Sequence, residues 1–173
     1  MKKTALENYI RDIPGFPKPG ILFRDITPLL GNKQALDAAI NLLSDKFKNK
    51  KIDVVVAAEA RGFILAGAVA NKLNAGFVPV RKKNKLPYKT YQASYSLEYG
   101  IDTLEIHRDA FKPGSRVLIL DDLLATGGTV RAIIDLVRQL GGKIIGICFL
   151  IELTQLAGRG RLKGYPVYSL IRY

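Results

Sequence analysis

Residues 117–120 (Val-Leu-Ile-Leu) and 144–151 are apolar at nearly every consecutive position, which is the pattern of strands buried on both faces, not of strands with one wet side. Such strands belong to parallel sheets, whose crossovers are long enough to carry a helix across a face. The intervening sequence supplies those helices. Residues 53–58, 77–80 and 167–171 read as further strands. Between the strands, helical spacing places Leu36, Ala39, Ile40, Leu43 and Phe47 on one face with Asn32 as cap. It does the same for Ile64, Leu65, Ala68, Val69 and Leu73, and for Val130, Ile133, Ile134, Val137 and Leu140 ahead of a Gly141-Gly142 stop. The chain is therefore predicted to be α/β, with a central, mostly parallel sheet flanked by helices and joined by right-handed crossovers. At 173 residues it is read as one domain, long enough for a substantial core.

Two stretches break the alternation. Residues 12–20 hold three prolines and two glycines and are expected to form a stiff, irregular loop. From 82 to 103, Tyr91, Ala93, Tyr95, Leu97 and Tyr99 alternate with more polar neighbours, as in an exposed hairpin. Long excursions inside compact domains are commonly lids, so a flexible hairpin lid is expected here.

The balance of 27 Lys+Arg against 15 Asp+Glu gives a formal charge of +12. A basic surface attracts nucleic acid, whereas a basic cleft gathers a polyphosphate. The cations are not interleaved with aromatics in one stripe. The run 46–51 follows a helix and reads as a solvated face, while 81–85 follows a strand and is better placed to meet a ligand. No apolar run approaches the roughly 20 residues of a membrane span, and no secretory leader is recognisable, so a soluble, cytoplasmic protein is expected. Cys148 reads as a small core residue and His107 as structural.

The densest chemical information follows the strand at 117–120. Asp121 and Asp122 stand at its carboxyl end, where parallel sheets bind ligands. Ala125, Thr126, Gly127, Gly128 and Thr129 then form a turn without bulk, which lets backbone N–H groups approach an anion as the next helix opens. Carboxylates accept from sugar hydroxyls and N–H groups donate to phosphate, so this segment suits a ribose 5-phosphate. Adjacent strand residues point to opposite faces, so both acids are expected to reach one sugar only if the chain leaves extended geometry there. No Gly-Lys-Ser/Thr follows the glycines, which excludes a Walker A loop.

The whole run 117–129 resembles the signature for 5-phosphoribosyl-1-pyrophosphate (PRPP) in the type I phosphoribosyltransferases, and Glu59-Ala60-Arg61-Gly62-Phe63 is similar to the pyrophosphate loop of the adenine-specific branch. The resemblance extends over 12–28, over 81–87, over 93–100 and over Glu152-Leu153-Thr154. It implies that Asp121 and Asp122 face the ribose hydroxyls and that residues 125–129 hold the 5-phosphate. Arg61, Arg81, Lys82 and Lys85 would meet pyrophosphate, although Lys85 also suits solvent and an arbitrary Arg61 would pair with Glu59. Phe23 and Leu153 would cover the faces of adenine while the main chain at Leu22 reads its edge, with Arg24 in the same segment. Glu98 would serve as general acid/base on a mobile loop, with Tyr99 closing over the site. Ala57 stands where the family pattern has glycine.

The implied reaction is adenine with PRPP giving AMP and pyrophosphate, assisted by Mg²⁺ held mainly through PRPP, in a homodimer. A 6-oxopurine or orotate enzyme of the same family is an alternative that the segments 12–28 and 152–154 disfavour. A PRPP-binding regulator that contacts nucleic acid draws on the +12 charge, but no segment remains for a helix-turn-helix and no specific nucleic-acid partner is expected.

Overall fold

The computed structural model describes residues 3–96 and 101–173, and the chain divides into two units, Met1–Leu42 and Leu43–Tyr173. In the first, α1 (Lys3–Leu6) and a 3-10 turn (Glu7–Tyr9) precede β1 (Arg11–Pro14) and β2 (Leu22–Asp25). These two strands pair antiparallel, from Arg11 opposite Asp25 to Pro14 opposite Leu22. The irregular loop expected over 12–20 is thus shorter than its prolines suggested. Pro14 is tolerated because it closes an edge strand, and the turn beyond it is built on Gly15 and Gly20, both with positive φ. Asp25 then accepts the Thr27 N–H at 2.9 Å and starts α2 (Thr27–Gly31), while Asn32 caps α3 (Lys33–Asp45) by accepting the Ala35 N–H at 2.9 Å. The buried stripe of α3 runs through Ala35, Ala38, Ala39 and Leu43, and Leu36 and Ile40 lie at its margin. Phe47 falls past the end of the helix.

The second unit contains one seven-stranded sheet. Its elements in chain order are β3 (Val54–Ala58), α4 (Arg61–Lys72), β4 (Gly76–Lys82), β5 (Thr90–Ser96), β6 (Ile101–His107), β7 (Arg116–Leu124), α5 (Gly128–Gln139), β8 (Lys143–Glu152), 3-10 turns at Thr154–Leu156 and Gly158–Leu162, and β9 (Val167–Arg172). The spatial order is β5-β6-β4-β3-β7-β8-β9. The β4-β3-β7-β8-β9 portion is parallel, and β6 joins β4 antiparallel, with Arg81 opposite Glu105.

Val117, Leu118, Ile119 and Leu120 are all fully buried, as their unbroken hydrophobicity requires. Val56, Ala58, Val117, Ile119, Ile147 and Phe149 join Val130, Ile133, Ile134 and Val137 of α5 in one cluster. The alternate residues face the other way, where Gly62 of α4 approaches the Ala57 methyl. From β3 the chain crosses to β4 on one side, whereas from β7 it crosses to β8 on the other. That reversal parts the loops after β3 and β7 and opens a crevice at the carboxyl ends of the strands.

Two sequence expectations change. Ile64 of α4 is 49% exposed, because the buried stripe of that helix passes through Leu65, Ala66, Val69 and Ala70. The 82–103 segment is not a freely exposed hairpin. β5 and β6 extend the sheet, and Tyr91, Ala93 and Tyr95 pack against the core cluster, so their alternation records one buried face. Residues 97–100 lie outside the described residues.

Candidate active site

The crevice between the ends of β3, β4 and β7 encloses about 290 Å³ and is lined by Glu59, Arg61, Lys82, Tyr95, Asp121, Asp122 and Thr129, among others. Asp121 and Asp122 both reach it although β7 remains paired with β8 through Leu124, so the expected departure from extended geometry is not seen. Both acids instead turn toward the start of α4. Asp121 Oδ1 accepts the Asp122 N–H at 2.9 Å and stands 2.7 Å from where a Cβ on Gly62 would be. Asp122, only 6% exposed, has its Oδ2 2.8 Å from Arg61 Nε, an ion pair in which that oxygen receives no hydrogen bond. Burial pushes both carboxyls up, Asp121 further because of the neighbouring Asp122 charge, while Arg61 opposes the rise at Asp122. Such carboxylates gain from O–H donors that would replace lost water.

Arg61 pairs with Asp122. Glu59 instead joins the ends of β3 and β4: its Oε2 accepts from Arg81 Nη2 at 2.8 Å and Nε at 3.2 Å, and its Oε1 accepts the Lys82 N–H at 2.6 Å. Burial alone would raise this carboxyl, but the hydrogen bonds from Arg81 and the Lys82 backbone hold it below its ordinary value. The peptide between Glu59 and Ala60 is cis. Arg81 also donates to the Lys85 carbonyl at 3.2 Å, so it braces the segment carrying Lys82 and Lys85. Lys82 Nζ lies 3.1 Å from Asp102 Oδ2, and that hydrogen bond raises the lysine above its ordinary value. Tyr95 donates to the same carboxylate at 3.4 Å. Lys85 is exposed.

A second hollow of about 70 Å³ adjoins the first and is lined by Ala125, Thr126, Gly127, Gly128 and Thr129. Gly127 adopts φ 83°, a left-handed backbone that favours glycine, and leads into α5, whose first N–H groups have no partner within the helix. Leu22, Phe23 and Arg24 lie on β2 of the first unit. Leu22 is 44% exposed, Phe23 meets Phe16 edge-on with centroids 5.1 Å apart, and Arg24 pairs with Asp12. Leu153 follows β8 in the second unit and donates its N–H to Leu124 at 2.9 Å. Glu98 and Tyr99 lie outside the described residues.

Residues 25–170 match the phosphoribosyl transferase domain family. Adenine phosphoribosyltransferase of Koribacter versatilis is 57% identical over 98% of this chain and 93% of its own length. The chain belongs to the adenine phosphoribosyltransferase family. A crystal structure of the adenine phosphoribosyltransferase from Thermoanaerobacter pseudethanolicus superposes with a TM-score of 0.97 at 49% identity, covering 99% of this chain and 100% of that one. The Saccharomyces cerevisiae enzyme, complexed with an imino-altritol bisphosphate and adenine, gives a TM-score of 0.92 at 40% identity over 97% of each chain.

Within this family frame, Ala57 sits in regular β3 opposite Pro79 without a positive φ, so its backbone creates no need for glycine. Sequence reasoning missed Glu59, Tyr95 and Asp102 as parts of the site. Glu59 carries a signal only as a member of the 59–63 motif and as a partner for Arg61, and Tyr95 only as a member of the alternating strand and of the 93–100 segment, neither with a role of its own. Asp102 had no local signal, because its partner Lys82 is twenty residues away and reaches it through the β4-β6 pairing.

Proposed function

We propose that this chain performs purine salvage, transferring the 5-phosphoribosyl group of PRPP to adenine to give AMP and pyrophosphate. The observation that carries the reading is the continuity of the two hollows, which share Asp121, Leu123, Ala125 and Thr129. A ribose there would have its 5-phosphate on the 125–129 loop and its C1 substituent toward Arg61 and Lys82, with the hydroxyls between, at Asp121 and Asp122.

In this reading adenine N9 attacks C1 as the C1–oxygen bond to pyrophosphate breaks through an oxocarbenium-like state. The bond electrons leave with pyrophosphate, near the Arg61 and Lys82 cations. Glu98 takes the N9 proton. By family resemblance, Leu22, Phe23 and Arg24 of the first unit and Leu153 of the second are each proposed as contacts for adenine. Arg81 acts by holding Glu59, and Lys85 remains an outer cation for pyrophosphate. Tyr99 covers the site and excludes water.

Mg²⁺ would reach this cleft with PRPP. Asp121 and Asp122 are hard oxygen donors at its wall, but among the described residues no cluster of three or more His, Cys, Asp or Glu surrounds one point, which favours holding the ion through phosphate and ribose oxygens. When bound, it would neutralise charge on the leaving group.

The assembly proposed is a homodimer. Phe63 and Phe77 meet edge-on at 5.4 Å, Phe77 and Ile64 are exposed, and exposed apolar side chains favour burial against a second copy. A cytoplasmic location agrees with buried Cys148, and among the described residues no helix is long and apolar enough to cross a membrane.

The test is turnover with adenine and PRPP, with hypoxanthine, guanine and orotate as competitors. AMP should form with adenine preferred, and Glu98→Gln should lower kcat while PRPP still binds. Absence of AMP formation together with salt-sensitive nucleic-acid binding would overturn the assignment in favour of a regulator.

A further inference from the structure

The 3-10 turn Gly158–Leu162 supports the loop at 125–129 from behind. A Cβ on Gly158 would stand 2.0 Å from the Ala125 carbonyl oxygen and 3.0 Å from the Gly127 nitrogen, and one on Gly127 would meet the Gly158 carbonyl oxygen at 2.8 Å. Two stretches of backbone therefore lie against each other with no side chain between them. Only glycine permits that approach on either side. The turn is entered through Ala157 at φ 51°, a left-handed conformation that a non-glycine residue keeps only when its surroundings impose it.

Next to it stands an ion-paired fork. Glu152, the last residue of β8, is 3% exposed. Arg159 donates to it through Nε at 2.9 Å and Nη2 at 2.5 Å. The same guanidinium donates to the Val167 carbonyl at 3.0 Å and to Ser169 Oγ at 3.2 Å, both on β9. Arg172 Nε approaches Glu152 Oε2 at 3.3 Å from the far side. A planar, five-donor guanidinium fixes orientation as well as distance, so the residue adjoining Gly158 is bolted to two strands of the sheet.

We propose that Glu152 and Arg159 are positioning residues for the ribose 5-phosphate site, holding Gly158 against Ala125 and Gly127 so that the N–H groups of the loop are set before the phosphate arrives. Neither side chain needs to touch substrate. The proposal rests on the 5-phosphate reading of residues 125–129, and its signature is selective: an anion on the loop is affected, and one near Arg61 and Lys82 is not.

The experiment measures dissociation constants for ribose 5-phosphate and for magnesium pyrophosphate in four variants of the full chain, with thermal melting as a check on folding. Gly158→Ala forces the loop away from the turn, and Arg159→Gln removes the fork. Both should weaken ribose 5-phosphate by roughly 10- to 100-fold, the scale of one hydrogen bond to a charged group, and leave pyrophosphate within about twofold. Arg159→Lys keeps the charge without the planar fork and should recover only part of the loss. Thr126→Ala changes the loop directly. If Thr126→Ala weakens ribose 5-phosphate and both Gly158→Ala and Arg159→Gln leave it unchanged, the positioning role is refuted and the phosphate site stands. If wild-type protein does not bind ribose 5-phosphate, the underlying site assignment has failed. Equal loss for both anions overturns the proposal as well, because it marks a general structural role. Should Gly158→Ala not fold, Arg159→Gln decides.

Discussion

Glu152→Gln is expected to remove a large, pH-dependent part of the stability of the sheet. Hydrogen bonds from Arg159, working against burial and aided by Ser169 and Arg172, hold the Glu152 carboxyl at about 2 instead of 4.5. The difference of about 2.5 units, at about 1.36 kcal/mol each, corresponds to ~3 kcal/mol favouring the folded state when Glu152 is ionised. The folded value lies below the unfolded one, so this contribution is complete above the unfolded value of 4.5 and is lost as pH falls through about 2. Arg159 and Arg172 retain 39% and 52% side-chain exposure, so water can solvate them once the carboxylate is gone. The cost should therefore stay near that figure without an added penalty for a stranded buried cation. Urea unfolding of wild type and Glu152→Gln, followed by tyrosine fluorescence, measures the gap directly. It should be ~3 kcal/mol at about pH 7 and shrink to about half by about pH 3, while other carboxylates titrate alike in both proteins and cancel. A gap below about 1 kcal/mol at neutral pH, the value of an exposed pair, or one that does not change with pH, would refute the ion-pair argument.

Other substitutions probe different links. Gly62→Ala would place a methyl 2.7 Å from Asp121 Oδ1, so ribose 5-phosphate affinity should fall by about tenfold with little change in melting temperature, the scale of one disturbed charged hydrogen bond; unaltered affinity would show that Asp121 does not hold the sugar. Lys82→Met should weaken pyrophosphate by roughly 10-fold or more and ribose 5-phosphate little, and equal losses for the two ligands would contradict its placement. Gly146→Ala brings a Cβ to 2.6 Å from the Phe47 ring and should destabilise by about 1–3 kcal/mol through overpacking, with substrate KM values preserved in the folded fraction. If the proposed homodimer forms through this face, Ile64→Asp should shift sedimentation from dimer toward monomer, and an unchanged sedimentation coefficient would remove Ile64 from the interface.

The sequence made the parallel sheet legible because both-face burial leaves an unmistakable composition: Val117 to Leu120 carry no polar residue, and α5 buries every position its periodicity marked. The ends of β3 and β7 were legible for a similar reason, since Gly127 and Gly62 sit where a side chain would collide. Legibility failed where a partner is distant in sequence. Ile64 fits a helical face as well as Leu65 does, and only the position of the sheet decides which is covered. Gly158 lies in an unremarkable Ala-Gly-Arg-Gly-Arg stretch, and its contact with Ala125 exists only once β8 and β9 lie side by side. The hairpin at 90–107 showed its period but not its neighbour, so the pairing that brings Asp102 within reach of Lys82 was invisible.

That pairing bears on the +12 charge. In the cleft, Arg61 is matched by Asp122, Arg81 by Glu59 and Lys82 by Asp102, with Asp121 a fourth carboxylate at the wall. Among the described residues these three cations meet four carboxylates, so the positive surplus behind the net +12 is carried by the rest of the chain. An incoming polyphosphate is then drawn by the field of the whole protein, an interaction that salt screens over about 10 Å. Once inside, it meets cations already held in place by carboxylates. Lys82 and its partner Asp102 keep 60% and 21% side-chain exposure, so that pair costs little to rearrange, whereas Asp122 is nearly buried beside Arg61 and needs a replacement donor when the pair opens. On the proposed reading, phosphate oxygens would take the place of these carboxylates, Asp122 would accept from a ribose hydroxyl, and Lys82 would turn from Asp102 toward the leaving group. The carboxylates that neutralise the cleft thus also prearrange its cations, and attraction over distance and placement at contact are carried by different residues.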